Sequence, residues 1–301
     1  MAIKYLSGKR LQGTSAERLA TVQTDSTLDF FTSQGSTGWT DNSSDISYDS
    51  SNKKVDVEVD ADDTTLSSGF QLDLQHANYL NGSNLPTDFT FQFVIDQTAW
   101  SDNGTCDHQD LGIWLSDGTG ASGLDVLGLV ASNTACSGDS NVKKYKFIAK
   151  NNSGWRGVHD TNSSGARERL PSAASEGVTP NTTQGANSDG KLGFKIIRES
   201  ASVIKAEIWN DSTFGSGSSA TNSYTFSDTS LCSTIDDLRY ITIHRYKQGS
   251  ANGSNEASFS DLKLTYTAST TANIQTNAIF EESDTGKHYV FDGSSTWTEI
   301  V

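Results

Sequence analysis

Only three cysteines and one methionine occur in 301 residues, and no C-x-x-C pair or His/Cys cluster at zinc spacing is present. A structural zinc site is therefore not expected. No apolar run reaches the roughly 18 residues a membrane helix needs, so no membrane insertion is expected. The opening MAIKYLSGKRLQGTSAERLA lacks the continuous apolar stretch of a secretory signal, which points to synthesis in a cytoplasm without Sec export. Long Ala/Leu/Glu/Lys stretches with a 3.6-residue period are missing too, so helix should be scarce. Five histidines (His76, His108, His159, His244, His288) are scattered without a recognisable triad order, and no Gly-x-Ser-x-Gly elbow occurs. No Lys/Arg stripe offsets a formal charge of −15 and a pI near 4.6, and such a field repels phosphate backbones. Nucleic acid is not an expected partner.

What remains is Ser, Thr, Asn, Asp and Gly between short apolar runs, an all-β composition. From Leu28 to Tyr266 the chain reads as strand, turn, strand, with runs at Lys54 to Val59, Gly69 to Leu74, Phe89 to Ile95, Lys144 to Ala149, Lys191 to Arg198, Val203 to Trp209 and Leu238 to Tyr246. Phe89, Phe91, Phe93 and Ile95 fall on one face of their run while Thr90 and Gln92 fall on the other, giving one core side and one wetter side. Many such runs between polar turns predict two packed antiparallel sheets rather than βαβ units. The expected organisation is an arm over 1–26, a β-sandwich over 27–268 and a small module over 269–301. The polar segment Asn151 to Gly190 is too long for an ordinary connection, and loops of that length tend to be functional or poorly ordered.

The last 25 residues carry their own pattern. Ala278 to Glu281, Lys287 to Phe291 and Thr296 to Val301 are short runs separated by Asp-Thr-Gly and Asp-Gly turns, which reads as a three-stranded meander. So small a sheet must pack on something else. The arm offers an extended Ile3 to Leu6 piece and a helical turn capped by Ser15, and its Lys4, Lys9, Arg10 and Arg18 stand against an acidic body. Cys106 and Cys136 each lie fifteen positions from Ala121, so an in-register hairpin would set the thiols opposite each other as a disulfide candidate. Cys232 reads as a small buried hydrophobe.

Two resemblances follow. The tail EESDTGKHYVFDGSSTW is similar to short segments that close tail, fibre and decoration proteins of bacterial and archaeal viruses, and KYLSGKRLQGTSAER is similar to openings of marine viral structural proteins. The order ISYDSSNKKVDVEVD, FTFQFVIDQ, LGIWLSDG, KLGFKIIRESASVIKAEIWND, LRYITIHRY and FSDLKLTY resembles a concanavalin A-like, laminin-G-like jelly roll over roughly residues 28–267. The first resemblance implies a virion surface protein that works in capsid decoration, in a fibre or tail, or in host attachment. Its partners would be other virion proteins, its own copies as a trimer, and a host surface glycan. In that setting Lys4, Arg10, Phe280, Tyr289, Phe291 and Trp297 would form the assembly interface.

The jelly-roll resemblance implies a carbohydrate-binding alternative. Sugar recognition needs an aromatic platform with amide or carboxylate neighbours, and the candidates are Trp155, Arg156, Trp209, His244 and Tyr246, with Tyr240 and Thr242 on the same strand face as His244. A glucanase is the third reading, because that family carries Glu-x-Asp-x-Glu on one strand and this chain has Glu58, Asp60 and Asp62. Asp62 departs from the pattern, and alternating Asp and Val equally describes a half-exposed strand. No catalytic residue is assigned and the chain is read as no enzyme. No cofactor is expected. Calcium is left open as a ligand of loops such as Asp102-Asn103 and Asp107 to Asp110.

Overall fold

The computed structural model describes residues 4–7, 10–15, 18, 23–33, 35–41, 46–59, 69–80, 82–100, 108–119, 124–136, 139–153, 167–170, 191–214, 220–247, 255–269, 277–292 and 296–300. In chain order the first strands are β1 (Lys4–Ser7), β2 (Arg10–Gly13), β3 (Gln23–Asp29), β4 (Trp39–Asp41), β5 (Ile46–Asp49), β6 (Lys54–Val59) and β7 (Gly69–Asp73). The middle ones are β8 (Phe89–Trp100), β9 (His108–Ser116), β10 (Leu124–Cys136), β11 (Asp139–Ser153), β12 (Arg167–Leu170), β13 (Leu192–Ser200), β14 (Val203–Trp209) and β15 (Asn222–Thr225). A short helix α1 (Thr229–Thr234) precedes β16 (Tyr240–Lys247), β17 (Asn255–Ser269), β18 (Ile279–Glu282), β19 (His288–Phe291) and β20 (Trp297–Ile300). Two compact units result, one made of Met1–Thr27 with Thr265–Val301 and the other of Leu28–Leu264.

The larger unit is a jelly-roll β-sandwich of two antiparallel sheets. One sheet runs β12-β11-β10-β9-β16-β7-β4, and the other runs β15-β14-β13-β8-β17-β6-β5 with β3 beside β17. Alternation places the core between them. Leu111, Ile113, Leu115, Leu127, Leu129, Ile241 and Ile243 are buried on the first sheet, and Phe91, Phe93, Phe194, Ile196, Ile204 and Ile208 on the second. The Phe194 ring meets Tyr145 edge-on at 5.1 Å and Phe147 at 6.1 Å, so rings from both sheets interlock. The Phe89, Phe91, Phe93, Ile95 face is inside, while Thr90 and Gln92 are half-buried. In β17 the buried set changes from Ala257 and Phe259 to Leu262 and Leu264, a slip of one residue at Asp261, whose φ is +49°. An extra residue in the left-handed region is how a bulge keeps apolar side chains inward on a bending strand.

Short strands are what the sequence pattern missed. β4, β12 and β15 span three or four residues with little apolar alternation, and pairing with longer neighbours fixes them. The helix α1 is set by Asp228, which accepts from Leu231 N at 2.9 Å, and by burial of Leu231 and Cys232.

In the smaller unit the two chain ends share one sheet, β1-β2-β18-β19-β20. The expected meander is present, and its missing partner is the arm: β2 lies parallel to β18, with Leu11 opposite Phe280. Leu11, Ala278, Phe280, Tyr289, Phe291 and Trp297 close into one buried cluster. The expected use of those four aromatics as a surface for a partner is corrected accordingly, since their exposures of 0, 9, 1 and 8% place them inside the unit. Polar contacts complete the join. Arg18 Nε donates to Glu282 Oε1 at 2.7 Å with its guanidinium 3.8 Å from the Tyr289 ring centre, and Thr285 donates to the other Glu282 oxygen. Asp284 accepts from Ser15 N at 2.9 Å and from Ser15 Oγ at 2.6 Å. The cap on the arm's helical turn thus comes from the other end of the chain, where Ser15 itself was the expected cap.

Candidate functional site

Because the core lies on one side of the seven-stranded sheet, its other side is the outward face. An outward antiparallel face ordinarily carries short polar side chains in water. Here it does not. Cross-strand pairing lays Ile148, Gly128, Trp114, Thr242, Gln71 and Thr40 in one row across the sheet. A second row holds Arg167, Lys150, Val126, Ser116, Tyr240 and Asp73, and a third holds Lys146, Val130, Gly112, His244 and Gly69.

Trp114 organises these rows. Gly112 leaves room for its indole and Gly128 for its backbone, because a β-carbon at Gly112 would lie 2.5 Å from Trp114 Cζ3 and one at Gly128 would lie 2.6 Å from Trp114 Cα. The indole packs with Leu124, Val126, Val130 and Ile148 as a small apolar cluster of its own. On its other side the His244 ring stands 4.7 Å away, tilted by 46°. Gln71 Nε2 donates to Thr242 Oγ1 at 3.2 Å. Next to them Arg239 holds Asp73 through two bonds of 2.9 and 2.6 Å and lies 5.0 Å from the Tyr240 ring, and these hydrogen bonds keep the Asp73 carboxyl below its ordinary pKa. Trp114, Ser116, Lys150, Thr242 and His244 are all at most 1% exposed, whereas Gln71, Lys146 and Tyr240 keep accessible area and Thr40 is exposed. Burying hydroxyl, imidazole and ammonium groups is costly unless their hydrogen bonding is satisfied, so a polar outward face that is also buried is a built feature.

The residues anticipated for sugar binding are dispersed. His244 lies on this face but is buried under the Trp114 contact. Tyr246 holds the register position opposite Asp110, and its side chain is outside the described residues, as are Trp155 and Arg156. Trp209 belongs to the other sheet, so the expected grouping with His244 is corrected. Its outward ring is 8% exposed because Phe214 stands edge-on at 6.3 Å, Lys195 Nζ lies 4.6 Å from the ring centre, and its Nε1 donates to Glu207 at 3.1 Å. Glu58 is exposed on β6 directly opposite Glu256, while Asp60 and Asp62 fall outside the described residues. Among the assembly candidates, Lys4 and Arg10 hold backbone positions on β1 and β2, with side chains outside the described residues. Cys106 is outside them as well, and Cys232 is buried and free. Among the described residues no group of three or more His, Cys, Asp or Glu is placed to hold a metal ion, and no helix is long and apolar enough to cross a membrane.

Sequence reasoning did not single out Trp114, Gln71, Lys146 or Lys150. One signal was available: the run KKYKFIAK sets Lys144, Lys146 and Lys150 on one face of a strand and Tyr145, Phe147 and Ala149 on the other.

No family model and no curated protein matches the chain. Solved structures do. One is alginate lyase A1-II′ of polysaccharide lyase family 7, at 11% identity and TM-score 0.38, covering 76% of this chain and 86% of that one. Another comes from work on cell entry of botulinum neurotoxin type C through two ganglioside molecules, at 11% identity and TM-score 0.44, covering 83% and 49%. A functionally unknown protein from Saccharomyces cerevisiae aligns at 12% identity and TM-score 0.38, covering 75% and 94%.

Proposed function

We propose that this chain is a non-enzymatic surface protein that recognises carbohydrate with the outward face of its seven-stranded sheet. In this reading the unit made from both chain ends holds it in a larger assembly, a virion surface in the first instance, among copies of itself and other particle proteins. The observation that carries the carbohydrate reading is the accessible end of this face, where Tyr240, Gln71 and Asp73 keep accessible area beside the buried Trp114, Thr242 and His244. An aromatic ring next to amide and carboxylate groups is the chemistry that holds a sugar, here the Tyr240 ring against its C–H face and Gln71 and Asp73 against its hydroxyls. Support for the assembly part comes from the viral resemblance of the two chain ends, which join in one sheet. A glycan array probed with the full chain, with and without calcium, tests the carbohydrate reading. Saturable binding to a defined set of glycans that falls on Gln71→Ala is the expected result. Absence of binding across neutral and acidic glycans in both conditions would refute it.

A further inference from the structure

The aromatic side of the five-stranded sheet is closed, but its two edges differ. At one edge β1 carries a register shift between Tyr5 and Ser7, and an irregularity of that kind blunts an edge against further pairing. At the other edge β20 runs in register with β19 and, among the described residues, has no strand on its free side. Thr298, Glu299 and Ile300 are all exposed, and Ile300 at 43% is the one exposed large apolar side chain among the described residues. β20 holds no Pro and no Lys, and its single charge, Glu299, is neutralised by Lys287 Nζ at 3.0 Å. Such an edge is unguarded. Hydrogen bonding fixes what it offers. Phe291 N donates to Ala278 O and Asp292 N donates to Thr296 O, so alternate residues of β19 serve its two neighbours, and Thr298 and Ile300 turn their backbone groups towards β19. The N–H and C=O groups of Trp297 and Glu299 therefore point to the free side.

We infer that β20 is a self-pairing strand, through which two copies of the chain join antiparallel about a two-fold axis at Thr298 into one continuous sheet. The inference rests on the assembly reading above and names the surface where copies meet. Charge and reach select the register. Centring on Glu299 would set two carboxylates directly opposite each other, which is unfavourable. Centring on Trp297 would leave the outward groups of Glu299 beyond the end of the facing strand. Centring on Thr298 pairs Trp297 of each copy with Glu299 of the other, uses every outward group of both strands, and faces threonine with threonine, a favourable cross-strand pair. The outer row Ile279, Val290, Thr298 then continues through the axis into the same three residues of the second copy, β-branched on both sides. A two-fold contact needs this self-complementarity. A strand of 4 residues buries much less than the roughly 1,200 Å² of a stable interface, so the pair is weak in free solution and is consolidated where a particle holds copies at high local concentration.

Thr298→Cys in the full chain tests the axis directly. Opposed residues of a non-hydrogen-bonded pair have Cα atoms about 4.5 Å apart, within reach of a disulfide, whereas two Ile300 residues, each two positions from the axis, would stand about 14 Å apart. Under mild oxidation Thr298→Cys should give a covalent dimer on non-reducing gels, and Ile300→Cys and the unsubstituted chain should not. Sedimentation velocity over a concentration series adds Thr298→Lys, Thr298→Glu, their equimolar mixture and, as the control, Ser223→Lys on β15, an exposed edge position of the larger unit. Dimerisation should weaken about fivefold in each Thr298 charge variant, return in their mixture and persist in the control. Thermal unfolding checks that each variant is folded, and the two cysteine variants decide if a charge variant is not. Self-association that is indifferent to the Thr298 charges and gives no Thr298→Cys link overturns the inference while leaving self-assembly in place. Equal linkage of Thr298→Cys and Ile300→Cys reports collision and overturns it too. A monomer at every concentration with neither link overturns both the pairing and the self-assembly it rests on.

Discussion

Replacing Gly128 by alanine should be among the most damaging single-methyl additions in this protein. The glycine faces Trp114 across the β9–β10 pair. A β-carbon there would overlap the Trp114 β-carbon and the Ile113 carbonyl oxygen and would lie 2.6 Å from Trp114 Cα. None of these atoms moves by rotating a side chain, so two strands must separate in the middle of a sheet buried on both faces. Overpacking of a core usually costs about 1–3 kcal/mol, and obstruction by backbone places Gly128→Ala at the upper end, about 3 kcal/mol. At about 2–4 °C per kcal/mol for a domain of this size, melting should fall by about 6–12 °C. Two neighbours on the same face calibrate the estimate. At Gly112 the nearest obstacles are Trp114 Cζ3 and Cε3 at 2.5 and 3.0 Å, the outer edge of an indole that can tilt, so about 1–2 kcal/mol is expected. At Gly69 the closest atoms are at 3.1 and 3.2 Å, and the loss should stay below about 1 kcal/mol. Differential scanning calorimetry of the three variants decides the order. If Gly128→Ala melts with Gly69→Ala, the claim that Trp114 is seated by missing β-carbons is refuted.

Two further perturbations probe the joined ends and the cysteines. Burial alone would raise the Glu282 pKa, but hydrogen bonds from Thr285 and Arg18 outweigh it, and Asp284 is lowered mainly by Ser15, so both carboxyls lie below their ordinary values in the folded unit. A depressed folded pKa means stability that is complete above the unfolded value, about 4, and is lost as pH falls from there through the folded value. Protection of the β2 amides from hydrogen exchange, relative to their intrinsic rates, should therefore fall below about pH 4, and Glu282→Gln should show that loss of protection already at neutral pH, with about 1–3 kcal/mol lost from the charge-assisted bonds. Acid-independent protection of β2 would remove the carboxyls from this role. The β9–β10 register needed for the expected Cys106–Cys136 disulfide, with Thr134 opposite His108, is the observed one. In oxidising buffer, alkylation without reduction should leave both unlabelled and reach buried Cys232 only after unfolding. Labelling of Cys106 and Cys136 in the folded, unreduced protein would rule the bridge out.

Much of the fold was legible in the sequence because a strand with one buried face writes itself as alternation. β6 and β14 have the bounds the pattern predicted, and the Phe89, Phe91, Phe93 face is interior as read. The meander was legible from its Gly turns, with Gly286 at φ +72°. Period-two patterning reports burial along one strand and says nothing about which strands become neighbours. Only the tertiary structure decided that Leu11 meets Phe280 across 269 positions of chain, which turned a supposed docking surface into a closed core. It also separated Trp209 from His244 by placing them on different sheets, and it brought Lys146 and Lys150 to one face with Trp114. The physical reason is the same in each case. Alternation fixes which side a residue takes, while register and strand order fix what it stands beside, and those depend on pairings between segments far apart in the chain.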